Sequence, residues 1–492
     1  LPPELYYAIL NHVPSDNLQQ TILSLSCALP SSPVPVHLLF HSIRLRYPDQ
    51  VVRLTRRLKK GPEDALLVKQ FSLETWTVDA DVLINLVRTL PNLTSLSLFV
   101  GPNFAPEHME DLFHSPWAKL RFIGLRFRPY VQKATYYQFM KGAYFDSMLD
   151  HLSKWDPDSL PVLSVIQDPL DPALSKMQHF AQPLVFFRLD PFTSLVRAPV
   201  LRALTHFRLR VPARQVAQYV YAAPGALARV EHVDLSTCNV SEREVELVLG
   251  RFSRLRHLVL DNCSILRGEF NEVAWRELGK DCALAGVRRA RDREKKLKAW
   301  LEVNHSRVVE DLGGDAPVQV ARNPGHARAP KRGRKGLATA TISLRERDEA
   351  SAAGPSTILP AEAKVKVPKI RILPRPPTLL SLATTVRHDD KHDVIRAEYE
   401  RGWAEGVAQL AATTARLRTS FANRVRMMKF AEDADGVLRE EGMAGLEDVE
   451  VEDFEMSVQG EGVKCPVLCL AGPGRGGGHV PGCGHQAGWD VW

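Results

Sequence analysis

Between residues 66 and 266 the chain returns seven times to one short pattern: an apolar residue, two variable ones, an apolar residue, one variable residue, then Leu. Its anchors are Val68, Phe71 and Leu73; Leu93, Leu96 and Leu98; Leu120, Ile123 and Leu125; Leu184, Phe187 and Leu189; Leu204, Phe207 and Leu209; Val230, Val233 and Leu235; and Leu255, Leu258 and Leu260. The closing leucines lie 25, 27, 64, 20, 26 and 25 residues apart. In a strand such a pattern turns the anchors to one side and the variable residues to the other. Between the strands lie helical stretches. Ser241 with Glu244 forms a capping box ahead of Val245, Val248, Leu249 and Phe252. One strand plus one helix cannot cover its own apolar side, so units of this kind must stack to make a continuous core.

The spacing resembles that of leucine-rich repeats, whose period is about 20–29 residues; the long step has room for a degenerate unit plus an insertion. An α/β fold with an irregular leucine-rich-repeat solenoid over 66–266 is therefore predicted. The aromatic-rich insertion around Tyr130–Trp155 reads as an added helix packed in the core. The variable strand positions make a candidate substrate surface of Phe122, Arg126, Arg188, Arg208 and Arg210. Arginines beside an aromatic anchor are the residue types enriched at interface hot spots, and suit an acidic or phosphorylated protein segment. The competing expectation pairs these arginines with Asp190, Asp234 and Asp261 in the sheet itself.

The flanks differ in composition. Residues 1–47 read as a small helical module: Leu5, Ile9, Leu10 and Val13 share one helical face, and Leu18, Ile22, Leu25 and Leu29 recur on a second helix behind Asp16 and Gln19, a capping pair. A third short apolar segment begins at Leu38. The module is either a docking surface or a cap on the first repeat. Residues 271–302 read as a charged helix and 303–384 as a disordered basic linker. Residues 393–430 read as an amphipathic helix in need of a partner, and 431–492 as an acidic, then glycine-rich tail. Residues 288–375 hold 21 Lys+Arg and 10 Asp+Glu, whereas 431–462 hold 12 Asp+Glu and only Arg439. The two blocks are expected to associate loosely through charge, in a salt-sensitive way.

Chemistry-bearing motifs are few. Gly472–Gly478 lacks the Lys-Ser/Thr of a phosphate loop, and no G-x-S-x-G or HExxH occurs, so no enzymatic activity is expected. Cys27, Cys238, Cys263 and Cys282 sit in apolar contexts and read as buried thiols. Cys465, Cys469, His479, Cys483 and His485 crowd the last stretch with ligand types that suit zinc. Their spacing is that of no usual finger, and the reading adopted is a tail with incidental Cys and His, with no metal and no cofactor. Lys331, Arg332, Arg334 and Lys335 form a compact basic motif read as a nuclear import signal, with minor-groove binding and a solvated charge run as alternatives. Seven cysteines suit a reducing compartment, and no run of about 18 apolar residues is present, so no membrane partner is expected. The first basic residue is Arg44, so the start is not read as a signal peptide; the opening Leu1 suggests a short missing piece.

Leu1, Pro2, Glu4, Leu5, Ile9, Leu10, Val13, Pro14, Asp16, Leu18, Leu25, Cys27, Phe40, Ile43 and Leu45 together resemble the F-box, although Leu29-Pro30-Ser31-Ser32 stands where the family usually has Trp. Followed by leucine-rich repeats, this is the order of one large F-box group. The resemblance implies a substrate receptor of a cullin–RING ubiquitin ligase, nuclear or cytoplasmic. Leu1, Pro2, Leu5, Ile9, Leu10, Leu18, Ile22 and Leu25 would dock on a Skp-type adaptor and its cullin complex, and the repeats would present an unknown protein substrate. The alternative is a nuclear scaffold that binds nucleic acid or chromatin through 288–375.

Overall fold

The computed structural model describes residues 2–128, 145–156, 160–169, 185–186, 188–221, 226–263, 272–311, 369–386, 391–431, 442–458, 463–472 and 478–487. Its strands are β1 (Ser42–Leu45), β2 (Gln70–Leu73), β3 (Ser95–Val100), β4 (Phe122–Phe127), β5 (Val162–Gln167), β6 (His206–Arg210), β7 (His232–Asp234), β8 (His257–Leu260), β9 (Arg371–Ile372), β10 (Ser381–Thr384), β11 (Met427–Phe430), β12 (Leu446–Asp448) and β13 (Val467–Cys469). Among the described residues, ten of them form one sheet in chain order, β1 to β8 followed by β10 and β13. The strand pairings of this sheet are parallel.

The middle anchor of each pattern explains this order. Phe71, Leu96, Ile123, Leu163, Phe207, Val233, Leu258, Leu382 and Leu468 lie in register across nine strands. All are buried, most against helices that return between strands, such as Ala80–Arg88 and Glu242–Arg251. Fully burying one such side chain contributes about 1.5–3 kcal/mol, so a stack this long outweighs any local preference. The capping box holds: the Glu244 N–H donates to Ser241 Oγ at 3.4 Å, and the Ser241 N–H to Glu244 Oε2 at 2.7 Å. Cys238 and Cys263 are buried as expected, each thiol donating to the carbonyl of the preceding strand's closing leucine, Leu209 and Leu235, at 3.3 Å.

Several expectations need correction. The strand between β4 and β6 is Val162–Gln167, not the pattern ending at Leu189; Leu189 instead precedes the helix Asp190–Arg197, where Pro191 fits the first turn. Residues 42–45 belong to the main sheet rather than to the helical module, because Ile43 and Leu45 enter its core. Gln19 does not close a capping box; its Nε2 donates to the Ser42 carbonyl at 2.7 Å. Cys27 is exposed.

The repeat does not stop near residue 266, and residues 369–386 are not part of a disordered linker. β10 and β13 extend the sheet, each preceded by a long helix, Glu272–Asp311 and His392–Ala422. These helices lie side by side and run the same way. A Cβ on Gly402 would come within 1.8 Å of the Arg276 carbonyl oxygen, and one on Gly406 within 2.6 Å of Ala283 Cβ. The partner expected for residues 393–430 is thus the preceding charged helix, and residues 427–430 leave the helix as β11. β11 lies between β12 and β9 in a small second sheet, whose Ile372, Met428 and Phe430 pack with Ile370 on Ala290, Leu297 and Leu301 of the first long helix. Where they are described, the basic and acidic blocks meet through apolar packing, with Met443 and Leu446 against Leu297, Leu301 and Ile370, and they contribute β9 and β12 to opposite edges of β11. Arg293, for example, donates Nη2 to the carbonyls of Gly442 and Ala444 at 3.0 and 2.8 Å.

Candidate functional site

Helices α1 (Pro3–Leu10) and α2 (Ser15–Ala28) form a module with its own core of Tyr6, Leu10, Ile22, Val34 and Leu38. Leu10 and Ile22, named for adaptor contact, lie inside this core, while Leu18 and Leu25 are half-buried against it. Pro2 is exposed, and Leu1 lies outside the described residues. Leu5 and Ile9 are 48% and 54% exposed, and Tyr7 and Leu23, which the sequence pattern did not single out, are exposed beside them in the module. Apolar residues around almost the whole of α1 were the available signal.

The strand face opposite the helices carries the variable residues in rows. One row runs Gln70, Ser95, Phe122, Val162, His206, His232, His257, Ser381 and Val467. The histidine rings of neighbouring strands stand 5.6 Å apart, and His257 Nδ1 lies 2.8 Å from Ser381 Oγ. Burial, the largest effect, drives the His232 pKa down to about 3; nearby Asp234 opposes it, and His206, His257 and Arg208 reinforce it.

In the next row Asp234 is 1% exposed and accepts from both predicted arginines: Arg208 Nε at 2.9 Å and Arg210 Nη2 at 2.6 Å. Burial raises its pKa, but Arg210 and Arg208 outweigh that and hold the carboxyl well below its usual range. The expected cationic centre is thus an ion-paired cluster. Arg126 also has a partner, Asp168 Oδ1 at 2.8 Å, yet stays exposed and lies over the Phe99 ring at 5.2 Å. Phe99 stacks on Trp76 at 4.6 Å, and Arg128 lies over Trp76 at 5.9 Å. This aromatic–arginine group was missed because Trp76 follows β2 outside the repeat pattern. Phe122 is half-buried in its row; a Cβ on Gly124 would meet its ring at 2.8 Å, so the glycine makes room for it. Arg188 is exposed but precedes a helix, so it is not on the strand face. Lys331, Arg332, Arg334 and Lys335 lie outside the described residues.

At the far end of this face Cys469, His479, Cys483 and His485 converge, with one potential ligand atom from each within 4.8 Å of all the others. The expectation of an incidental tail is corrected in placement alone: four of its five Cys and His side chains come together. The residues fold back onto the sheet, which no local spacing could reveal. Cys465 does not join them; it packs, partly buried, against the main core. Burial disfavours the Cys469 thiolate, but contacts with His485 and His479 outweigh it and lower the thiol's pKa.

Compared with known proteins, the sequence matches no family model and no curated protein. Among the described residues, no helix is long and apolar enough to cross a membrane.

Proposed function

We propose that this chain is a substrate receptor of a cullin–RING ubiquitin ligase. Its N-terminal module docks on a Skp-type adaptor, and the strand face of a leucine-rich-repeat-like solenoid holds a protein substrate. The observation that carries this reading is the exposure of Leu5 and Ile9 on a module that already has its own core. A cap on the first repeat would bury those two side chains against the sheet. Ten strands that follow one another across the sheet in chain order, with a helix in each crossover, support the solenoid. On the strand face, Trp76, Phe99, Arg126 and Arg128 have the chemistry of an interface hot spot. Nuclear or cytoplasmic residence belongs to the same proposal.

The scaffold alternative rests on residues 288–375. Where this segment is described, Arg289 donates to the carbonyls of Gly250 and Phe252, Arg371 to Glu294, and Arg375 to the Phe430 carbonyl. These internal contacts favour the receptor reading over phosphate binding.

The test is co-purification from cells. Truncating a buried anchor at an interface centre costs about 2–4 kcal/mol, or roughly a 30- to 1,000-fold loss of affinity. Leu5→Ala with Ile9→Ala should release adaptor and cullin together. Retention of both, or their absence from the wild-type preparation, would reject the reading. Arg126→Glu should weaken substrate capture without loss of adaptor.

A further inference from the structure

We propose that Cys469, His479, Cys483 and His485 bind one zinc ion, which fastens the C-terminal segment across the end of the strand face. The proposal stands independently of the adaptor reading. Cys469 Sγ lies 3.6 Å from His479 Nδ1, and Cys483 Sγ lies 3.9 Å from the same atom and 3.8 Å from His485 Nδ1. Zinc bonds of about 2.3 Å to sulfur and about 2.0–2.1 Å to nitrogen, at tetrahedral angles, require sulfur–nitrogen separations of about 3.6 Å. The four side chains thus stand close to the spacing of one tetrahedral shell.

The orientation of His485 is a second, independent observation. Its other ring nitrogen, Nε2, lies 2.7 Å from Asp261 Oδ2. Asp261 is fully buried, and its Oδ1 accepts from Thr385 Oγ1 at 3.1 Å. A carboxylate can only accept here, so the proton belongs on Nε2 and the Nδ1 lone pair turns to the cluster. A carboxylate behind a histidine in this way is the usual outer partner of a metal ligand. Two thiolates and two imidazoles in a tetrahedral shell select zinc over the hard divalent ions. Two thiolate charges also neutralise the ion in a site where both cysteines are fully buried. Four protein ligands leave no open position, so the role is structural rather than catalytic.

The site ties the segment that carries His479, Cys483 and His485 to a strand that is already anchored in the main core through Leu468 and Leu470. Cys469 ends β13, the last strand of the sheet, which pairs with β10 over three residues. Gly482, at φ +78°, turns the chain ahead of Cys483, which packs against Val259, Ala383 and Cys469. A Cβ on Gly484 would lie 3.0 Å from Val259 Cγ2 and 3.3 Å from Ser381 Oγ, so the segment rests flush on β8 and β10. A short, glycine-rich piece has no core of its own, and metal binding supplies the folding free energy that it lacks.

The chain of residues 1–492, purified without chelators, should contain one zinc per molecule by elemental mass spectrometry. Replacement by cobalt should give the visible bands of a tetrahedral ion and a thiolate charge-transfer band. Cys469→Ser with Cys483→Ser should remove the metal, whereas Cys465→Ser should retain it. Asp261→Asn, which keeps all four ligands, should weaken metal affinity about 10- to 100-fold. Should the double variant fail to fold, the cobalt spectrum of the wild type decides. A wild-type chain that takes up neither zinc nor cobalt, a double variant that keeps its metal, or a Cys469–Cys483 disulfide in freshly purified protein would overturn the proposal.

Discussion

His232 sits in the centre of a three-histidine row, fully buried, above the ion-paired Asp234. Below about pH 6.5 the unfolded chain takes up a proton at this histidine, while the folded chain resists it down to about pH 3. The unfolded state therefore binds more protons in that window. Stability that is present above about pH 6.5 is lost as the pH falls, by up to about 1.4 kcal/mol per pH unit. His206 and His257, whose pKa values burial also lowers, act in the same direction. Denaturant midpoints should fall from about pH 7.5 to about pH 5, and His232→Gln should flatten the slope by up to one proton. An unchanged slope in that variant would remove His232 from the account. At this scale the sequence placed Arg208, Arg210 and Asp234 together, because period-two alternation fixes which residues share a face. It did not show that Asp234 is buried between the two arginines. Nor did it place Trp76 against Phe99 and Arg128, since that contact depends on the register of neighbouring strands.

The two long helices approach backbone to backbone, and glycine is what lets them do so. A methyl group on Gly402 or Gly279 would reach the Arg276 or Tyr399 carbonyl oxygen at 1.8 or 2.1 Å. Gly402→Ala should lower stability by about 1–3 kcal/mol despite the better helix propensity of alanine. Gly250→Ala, in a helix with nothing within 4 Å of the new methyl, should raise stability by about 0.5–1 kcal/mol. Equal effects in thermal or chemical unfolding would argue against the close helix contact. At this scale the pattern marked six of the first eight strands. It missed β1 because Phe40, Ile43 and Leu45 were assigned to the helical module, although they carry the full pattern. It missed β5 because that unit closes on Val165, and β13 because Cys465, Leu468 and Leu470 lay in a stretch read as a tail. A local pattern reports a strand only when its anchors are the expected residue types, whereas sheet extension rewards any buried apolar residue in register.

At the scale of the whole molecule, the described residues build a ten-stranded sheet whose last two strands come from beyond residue 368, with a three-stranded sheet beside it. β8 pairs with β10, and β10 with β13, while Arg276 and Glu405 join the two long helices in an ion pair. Residues 1–311 and 369–492, expressed as separate chains in one cell, should therefore co-purify as a folded complex; independent elution would contradict the continuous sheet. Composition alone divided the chain into a folded half and a tail, because charge density conceals apolar residues that need a distant partner. The N-terminal module is the part that bears most directly on the proposed function, since it keeps its own core and leaves Leu5 and Ile9 exposed. The decisive measurement is a calorimetric titration of the purified chain of residues 1–492 with a purified Skp-type adaptor. The account predicts saturable one-to-one binding that hardly changes with salt and that Leu5→Ala with Ile9→Ala weakens about 30- to 1,000-fold while unfolding of the sheet stays the same. No binding by the wild type, or equal binding by the double variant, would contradict it.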